Sequence, residues 1–182
     1  MFDNLSSVRS LGEILALASG VVWAIAVILF RVTGRRIHPV GLNLGKNVLA
    51  LGLIAPTLLV LGEPLAPAVP LATTALLLVS GVLGIAVSDT LFFHALNRLG
   101  ASLTAIVDCF YAPFVIGLSF VFLGERLSPV QLVGAALVVS ALLTLSKEGK
   151  VERIDRKDLV AGVVYGILAM FFVALGIVMV KP

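Results

Sequence analysis

"VSDTLFFHALNRLGAS" (Val87–Ser102) closes one long apolar run and opens the next. Upstream, "LATTALLLVSGVLGIAV" (Leu71–Val87) carries no charge, and downstream "LTAIV" (Leu103–Val107) resumes the apolar pattern. Between them "NRLG" (Asn97–Gly100) has the polar and glycine content of a tight turn. The stretch therefore reads as the end of one membrane span, a hairpin, and the start of another. It also holds Asp89 near the end of the first run, with His94 five residues on. A charge at such a place is costly in a bilayer and marks a functional or structural partner.

Composition sets the solvent. The chain of 182 residues is 60% hydrophobic and 13% charged, with a mean hydropathy of +1.16. Soluble domains are about 45–50% apolar and about 25% charged, so the apolar surface here requires lipid. A net charge of +3 could suit nucleic acid, but the basic residues sit in loops between apolar runs, where membrane topology accounts for them. No nucleic-acid partner is expected. The single cysteine, Cys109, permits no intrachain disulfide and no CxxC metal site. No cofactor and no metal is expected.

A membrane-crossing helix needs about 20 apolar residues. Six such spans are legible: Gly12–Phe30, Val40–Leu61, Leu71–Leu96, Ala101–Leu123, Pro129–Leu145 and Leu159–Val180. None shows the period-two alternation of barrel strands, so the fold class is all-α, a polytopic membrane protein of six transmembrane helices. Arg9 and the "ALA" at Ala16–Ala18 resemble parts of a signal peptide, but the small triplet lies inside the apolar run rather than after it, which favours an uncleaved helix. The division that follows is a tail over 1–11, a five-helix domain over 12–146, a charged linker over 147–158, and a sixth helix over 159–182.

The sixth span repeats the first weakly. With Gly12 set on Gly162, Ala24 meets Ala174 and Arg31 meets Lys181. Five spans are an odd number, so a second unit opening at span six starts from the other side and is inverted, as in many secondary transporters. The chain stops at Pro182, after one helix of that second unit, and reads as a fragment or a truncated product. Loops 1–2, 3–4 and 5–6 carry Arg31, Arg35, Arg36, Arg98, Lys147, Lys150, Arg153, Arg156 and Lys157; the other side has Arg9, Arg126 and Lys181. By the positive-inside rule this count places the N-terminus outside.

Further motifs follow in order. "AL-x-x-LGAS" is Ala95–Ser102, Pro113 interrupts span four, "LGE-x-L" is Leu123–Leu127, and "Q-x-x-G" is Gln131–Gly134, with Trp23 in span one and Lys46 in span two. Together they resemble the EamA-type domain of the drug/metabolite transporter superfamily, over about Gly12–Leu145. The resemblance implies ten spans made of two inverted five-helix repeats and movement of small metabolites or drugs through a multi-pass protein of the inner cell membrane. It departs in two ways: four helices of the second repeat are missing, and the family's N-terminus is commonly inside.

The ionisable residues point to a site. Asp89 lies about seven residues before the hairpin and Asp108 about seven after the start of span four, so both sit roughly 10–12 Å below the turn. Lys46, a few residues into span two, shares that leaflet, beside Asn43 and Asn47 at i and i+4. Span four carries Thr104, Asp108, Tyr111 and Ser119 along one helical face. Asp108, Asp89, Lys46, Tyr111, Thr104, Asn43, Asn47 and Trp23 are the candidate substrate or proton path, with Pro113 a helix kink inside it.

Blander readings stand beside these. Asp89 serves either the path or a structural pairing with Lys46, Ser88 or Thr90. Lys46 either pairs or snorkels to the interface. His94, one turn from the loop, is interfacial or pH-sensing. Glu13 suits the N-terminus of span one, Glu125 and Arg126 cap span ends, and Trp23 packs or lines the path. Small residues at Ala16, Gly20 and Ala24, and at Gly81, Gly84 and Ser88, suit close helix packing.

Three functions compete: an alternating-access transporter, with an unknown small-molecule substrate and a coupling proton; a non-transporting fragment or subunit needing a partner chain, either a homodimer or the missing half; and an intramembrane hydrolase. Paired aspartates would suit an aspartyl protease, but "VD" (Val107–Asp108) and "SD" (Ser88–Asp89) stand where "YD" and "GxGD" are required. An enzyme is not expected.

Overall fold

A straight helix from Leu71 to Asp108 would be 38 residues long, about 57 Å at 1.5 Å per residue, nearly twice the hydrocarbon thickness. The chain therefore has to fold back, and Gly100 is where it does. In the computed structural model, which describes residues 2–65, 69–124, 132–134, 136–137, 140 and 154–181, Gly100 has φ 76° and ψ 171°, a backbone that side chains with a Cβ rarely adopt. Ala95 before it and Val107 after it, twelve residues apart, both lie against Gly166. Straight helix would hold them about 18 Å apart.

Every regular element among the described residues is helical: α1 (Phe2–Gly34), α2 (Pro39–Leu61), α3 (Leu71–Gly81), α4 (Ser88–Asp108), α5 (Tyr111–Leu123) and α6 (Arg156–Met179), with a π-helical turn at Val82–Val87 joining α3 to α4. Residues 132–134, 136–137 and 140, in the expected fifth span, are also helical. Glu125, Arg126, Gln131 and linker residues 147–153 lie outside the described residues. The stretches Leu11–Gly34, Pro39–Leu61, Leu71–Asp108 and Arg156–Met179 are long and apolar enough to cross a membrane. The chain is an all-α polytopic membrane protein.

Local chemistry sets the helix ends. His38 caps α2, with Pro39 at its first position, where the missing N–H has no cost. Gly62 and Gly124 end α2 and α5 in left-handed conformation, at φ 75° and 64°. Residues 2–11, expected as a tail, form the first turns of α1, so Glu13 lies inside a helix rather than at its start. Those residues contain neither Gly nor Pro, and nothing in them stops the helix short of Phe2.

Pro113 lacks the N–H that the Cys109 carbonyl would accept from in a regular helix. Just before it the turn tightens: Cys109 N–H donates to the Ile106 carbonyl at 3.3 Å and Phe110 N–H to that of Val107 at 3.0 Å, three residues back. The second limb of α4 and α5 thus make one interrupted span.

Contacts fix the directions. Ser80 Oγ donates to the Gly176 carbonyl (2.7 Å) and Ser88 Oγ to that of Ala169 (2.9 Å), while Leu99 abuts Gly162. One series rises as the other falls, so α6 runs antiparallel to the α3–α4 span. Trp23 meets Phe92 and Phe30 meets Phe93 at centroid distances of 6.0 and 5.0 Å, and Arg31 bonds the Leu96 carbonyl. These series rise together, so α1 is parallel to that span and opposite to α6. Phe92, Phe93, Leu96, Leu42, Ala169 and Met170 form the packed centre. The outer faces stay apolar and open, with Leu17 75% and Val60 87% exposed, as a lipid-facing surface requires.

Of the small-residue positions, Gly84 meets α6 and Ser88 bonds it, whereas Gly20 and Gly81 have nothing close by. A Cβ on Gly176 would sit 3.0 Å from the Gly84 Cα and the Ser80 carbonyl oxygen. These are backbone atoms and cannot rotate away. Gly176→Val is expected to force α6 off α3 and cost about 1–3 kcal/mol, read as earlier thermal unfolding in detergent. Gly52→Ala, at a site with nothing within 4 Å, should unfold no earlier than the parent chain.

Candidate functional site

The π-helical turn determines the environment of Asp89. At Val82–Val87 the ladder widens, and Ser88 N–H reaches the Leu83 carbonyl five residues back. The wider turn leaves carbonyls open to outside donors, and α2 supplies one. Asn43, buried, points its amide nitrogen at the Ile85 and Ala86 carbonyls (3.1 and 3.0 Å) and at Thr90 Oγ1 (3.0 Å). Asn47, one turn on, donates to the Asn43 carbonyl and its Oδ1 at 2.9 and 2.8 Å, which orients the Asn43 amide.

Lys46 lies between these asparagines in sequence. Its Nζ is 2.5 Å from Asp89 Oδ2 and 3.4 Å from Asn47 Oδ1. Both charged side chains are about a quarter exposed, 26% and 23%. An unpaired charge in hydrocarbon costs several kcal/mol or more, so each makes the other tolerable.

Beside this network is a cleft of about 300 Å³. Span three contributes Ser88, Asp89 and Phe92, the interrupted fourth span Asp108 and Tyr111, and α1 Trp23. Among the described residues, α6 adds a wall through Met170, Val173 and Ile177. The two aspartates, separated in sequence by the hairpin, thus face one space. They differ in state: Asp89 is matched by Lys46, whereas Asp108 Oδ1 is buried with no hydrogen-bond partner among the described residues.

Trp23, Asp89, Asp108 and Tyr111 are therefore brought together. Lys46, Asn43 and Asn47 stand behind Asp89 and do not line the cleft. Thr104 is fully buried and donates to the Gly100 carbonyl at 2.7 Å. It lies one turn nearer the hairpin, where packing leaves no space, and serves the start of the second limb. Ser119, further along the same stripe, is buried and also outside the cleft. His94 stacks on Tyr165 at 5.3 Å and meets His38 edge-on at 5.6 Å. The Arg98 guanidinium lies over the Tyr165 ring, 4.9 Å from its centroid. This cluster lies near the hairpin, away from the cleft.

Sequence reasoning missed the wall from α6 and the role of Arg31. Nothing in an apolar run such as "MFFVALGIV" marks which face meets a cleft. Arg31 did carry a signal, as a cation at the end of span one: its Nη1 donates to the Leu96 and Asn97 carbonyls at 2.8 and 2.6 Å, closing the last turn of span three. Asn97 returns a bond to the Gly34 carbonyl at 3.0 Å. Among the described residues no group of three or more His, Cys, Asp or Glu could hold a metal ion.

The sequence model of the EamA-like transporter family matches residues 10–147. The threonine/homoserine exporter RhtA of Escherichia coli strain K12 is 27% identical over 165 residues, covering 84% of this chain and 52% of the exporter. The same exporter from strains O6:H1 and O157:H7 matches equally. The chain spans about half the length of these curated relatives. No solved structure matches it.

Removing the Asn43 amide leaves the Ile85 and Ala86 carbonyls without their outside donor in a water-poor interior. Asn43→Ala should destabilise the protein by about 1–3 kcal/mol, measured by denaturant titration in mixed micelles. Asn43→Gln, which keeps the amide on a longer arm, should recover part of that loss.

Proposed function

The chain belongs to the EamA-like transporter family, and on that premise we propose that it carries the substrate cleft of a secondary transporter, rather than an enzyme, in the inner cell membrane. It moves small metabolites or drugs by alternating access, with a proton as the coupling ion. The observation that carries this reading is the cleft in which Asp108, unpartnered at Oδ1, faces the same space as the Lys46-paired Asp89. Carboxylates buried between spans are the usual carriers of protons and cations in such proteins.

The direction of α6 supports the same reading. It runs opposite to α1 and walls the cleft from the other side, the relation expected of helices that open two inverted repeats around a central site. A rocking of one repeat against the other would expose that site to each side in turn. The relatives' name gives threonine and homoserine as what they export, so small hydroxylated amino acids are the substrates to try first.

Asp108→Asn is expected to abolish threonine accumulation driven by a proton gradient in proteoliposomes, while the protein still inserts and stays monodisperse. Undiminished gradient-driven accumulation by this variant would overturn the role given to Asp108.

A further inference from the structure

The lining of the cleft says more about what it holds than the proton reading uses. On the transporter reading above, we infer that the cleft binds its substrate by an ammonium group, seated against Asp108 and flanked by the rings of Trp23, Phe92 and Tyr111.

The charge balance comes first. Lys46 cancels Asp89, and among the described residues no Lys, Arg or His lines the cleft. Asp108 is the acidic group of the described lining left without a cation, with one oxygen that no described group satisfies. A carboxyl so placed takes up either a proton or a cation.

The rings come second. Three aromatic side chains line this one space, and Trp23 and Phe92 stand 6.0 Å apart between centroids, tilted by 39°. Aromatic faces attract ammonium groups, more so where water is excluded. They would do nothing for a bare proton, so the surrounding rings select an organic cation over a proton carrier alone. Size comes third: about 300 Å³ is the lower end for ligand pockets. Met170, Val173 and Ile177 give an apolar surface for the uncharged part of the ligand. Simple amines carry such an ammonium group with no second charge to place.

The chain offers its own reporter. Trp23 is its single tryptophan and lines the cleft, so saturable changes in intrinsic emission report on that cleft. The probes are tetramethylammonium and tert-butanol, alike in size and differing in charge, titrated onto the chain in lipid nanodiscs. Tetramethylammonium should change the emission saturably and bind on the order of tenfold or more tightly than tert-butanol. Asp108→Asn should weaken the cation by a similar factor and leave the alcohol unchanged, and Asp108→Glu should retain cation binding. Equal affinity for the two probes, no saturable change, or an undiminished Asp108→Asn would each overturn the inference. The two-probe comparison needs no variant, so a misfolded Asp108→Asn would not shield it. Cation binding without any accumulation in proteoliposomes would sink the transport reading and leave the site standing; accumulation without cation preference would do the reverse.

Discussion

A bilayer core supplies no water to the backbone, so every carbonyl released from a helix must find a donor within the protein. Among the described residues three departures from regular helix bear on the site, and two of them explain a polar residue. At the Gly100 hairpin, Arg31 closes the carbonyls of Leu96 and Asn97. At the π-helical turn, Asn43 meets those of Ile85 and Ala86. Before Pro113 the turn tightens so that Cys109 and Phe110 bond three residues back. The departures are also what shape the site: the hairpin brings Asp108 back toward Asp89, the widened turn precedes Asp89, and the proline follows Tyr111.

The same constraint sorts the polar residues of α2. Asn43 and Asn47 are committed to backbone and to each other, and Lys46 to Asp89. They hold span three in place instead of facing the cleft. The space left open is then set by one paired and one unpaired carboxylate, three rings and the apolar face of α6. A network that neutralises one aspartate and leaves its neighbour unmatched creates a site with a definite charge preference, at the cost of burying that second carboxylate.

Much of this was legible in the chain. The bounds of the second and sixth spans followed, to within a turn, from run length, since hydrocarbon thickness fixes helix length. The turn at "NRLG" followed from the glycine that interrupts an otherwise overlong run. Depth put Lys46 within reach of an aspartate, although it could not choose between Asp89 and Asp108, or between pairing and snorkelling. The polar stripe of span four was less reliable. Thr104 and Ser119 share its helical face, yet both are buried by packing, because a helical face says where a side chain points and not what stands opposite it.

The sequence by itself determined that this is an all-α membrane protein, where its helices turn, and which carboxylates lie at one depth. Each of these rests on local rules: apolar length, turn residues and rise per residue. Only the tertiary structure decided that Asp89 takes the lysine, that Asp108 faces the rings, and that α6 runs against α1 as the far wall. Those outcomes depend on Gly84 and Gly176 allowing two backbones to within about van der Waals contact, and on a π-helical turn that re-aims the residues after it. Neither leaves a mark in hydropathy, because lipid-facing and protein-facing surfaces of a membrane helix are equally apolar.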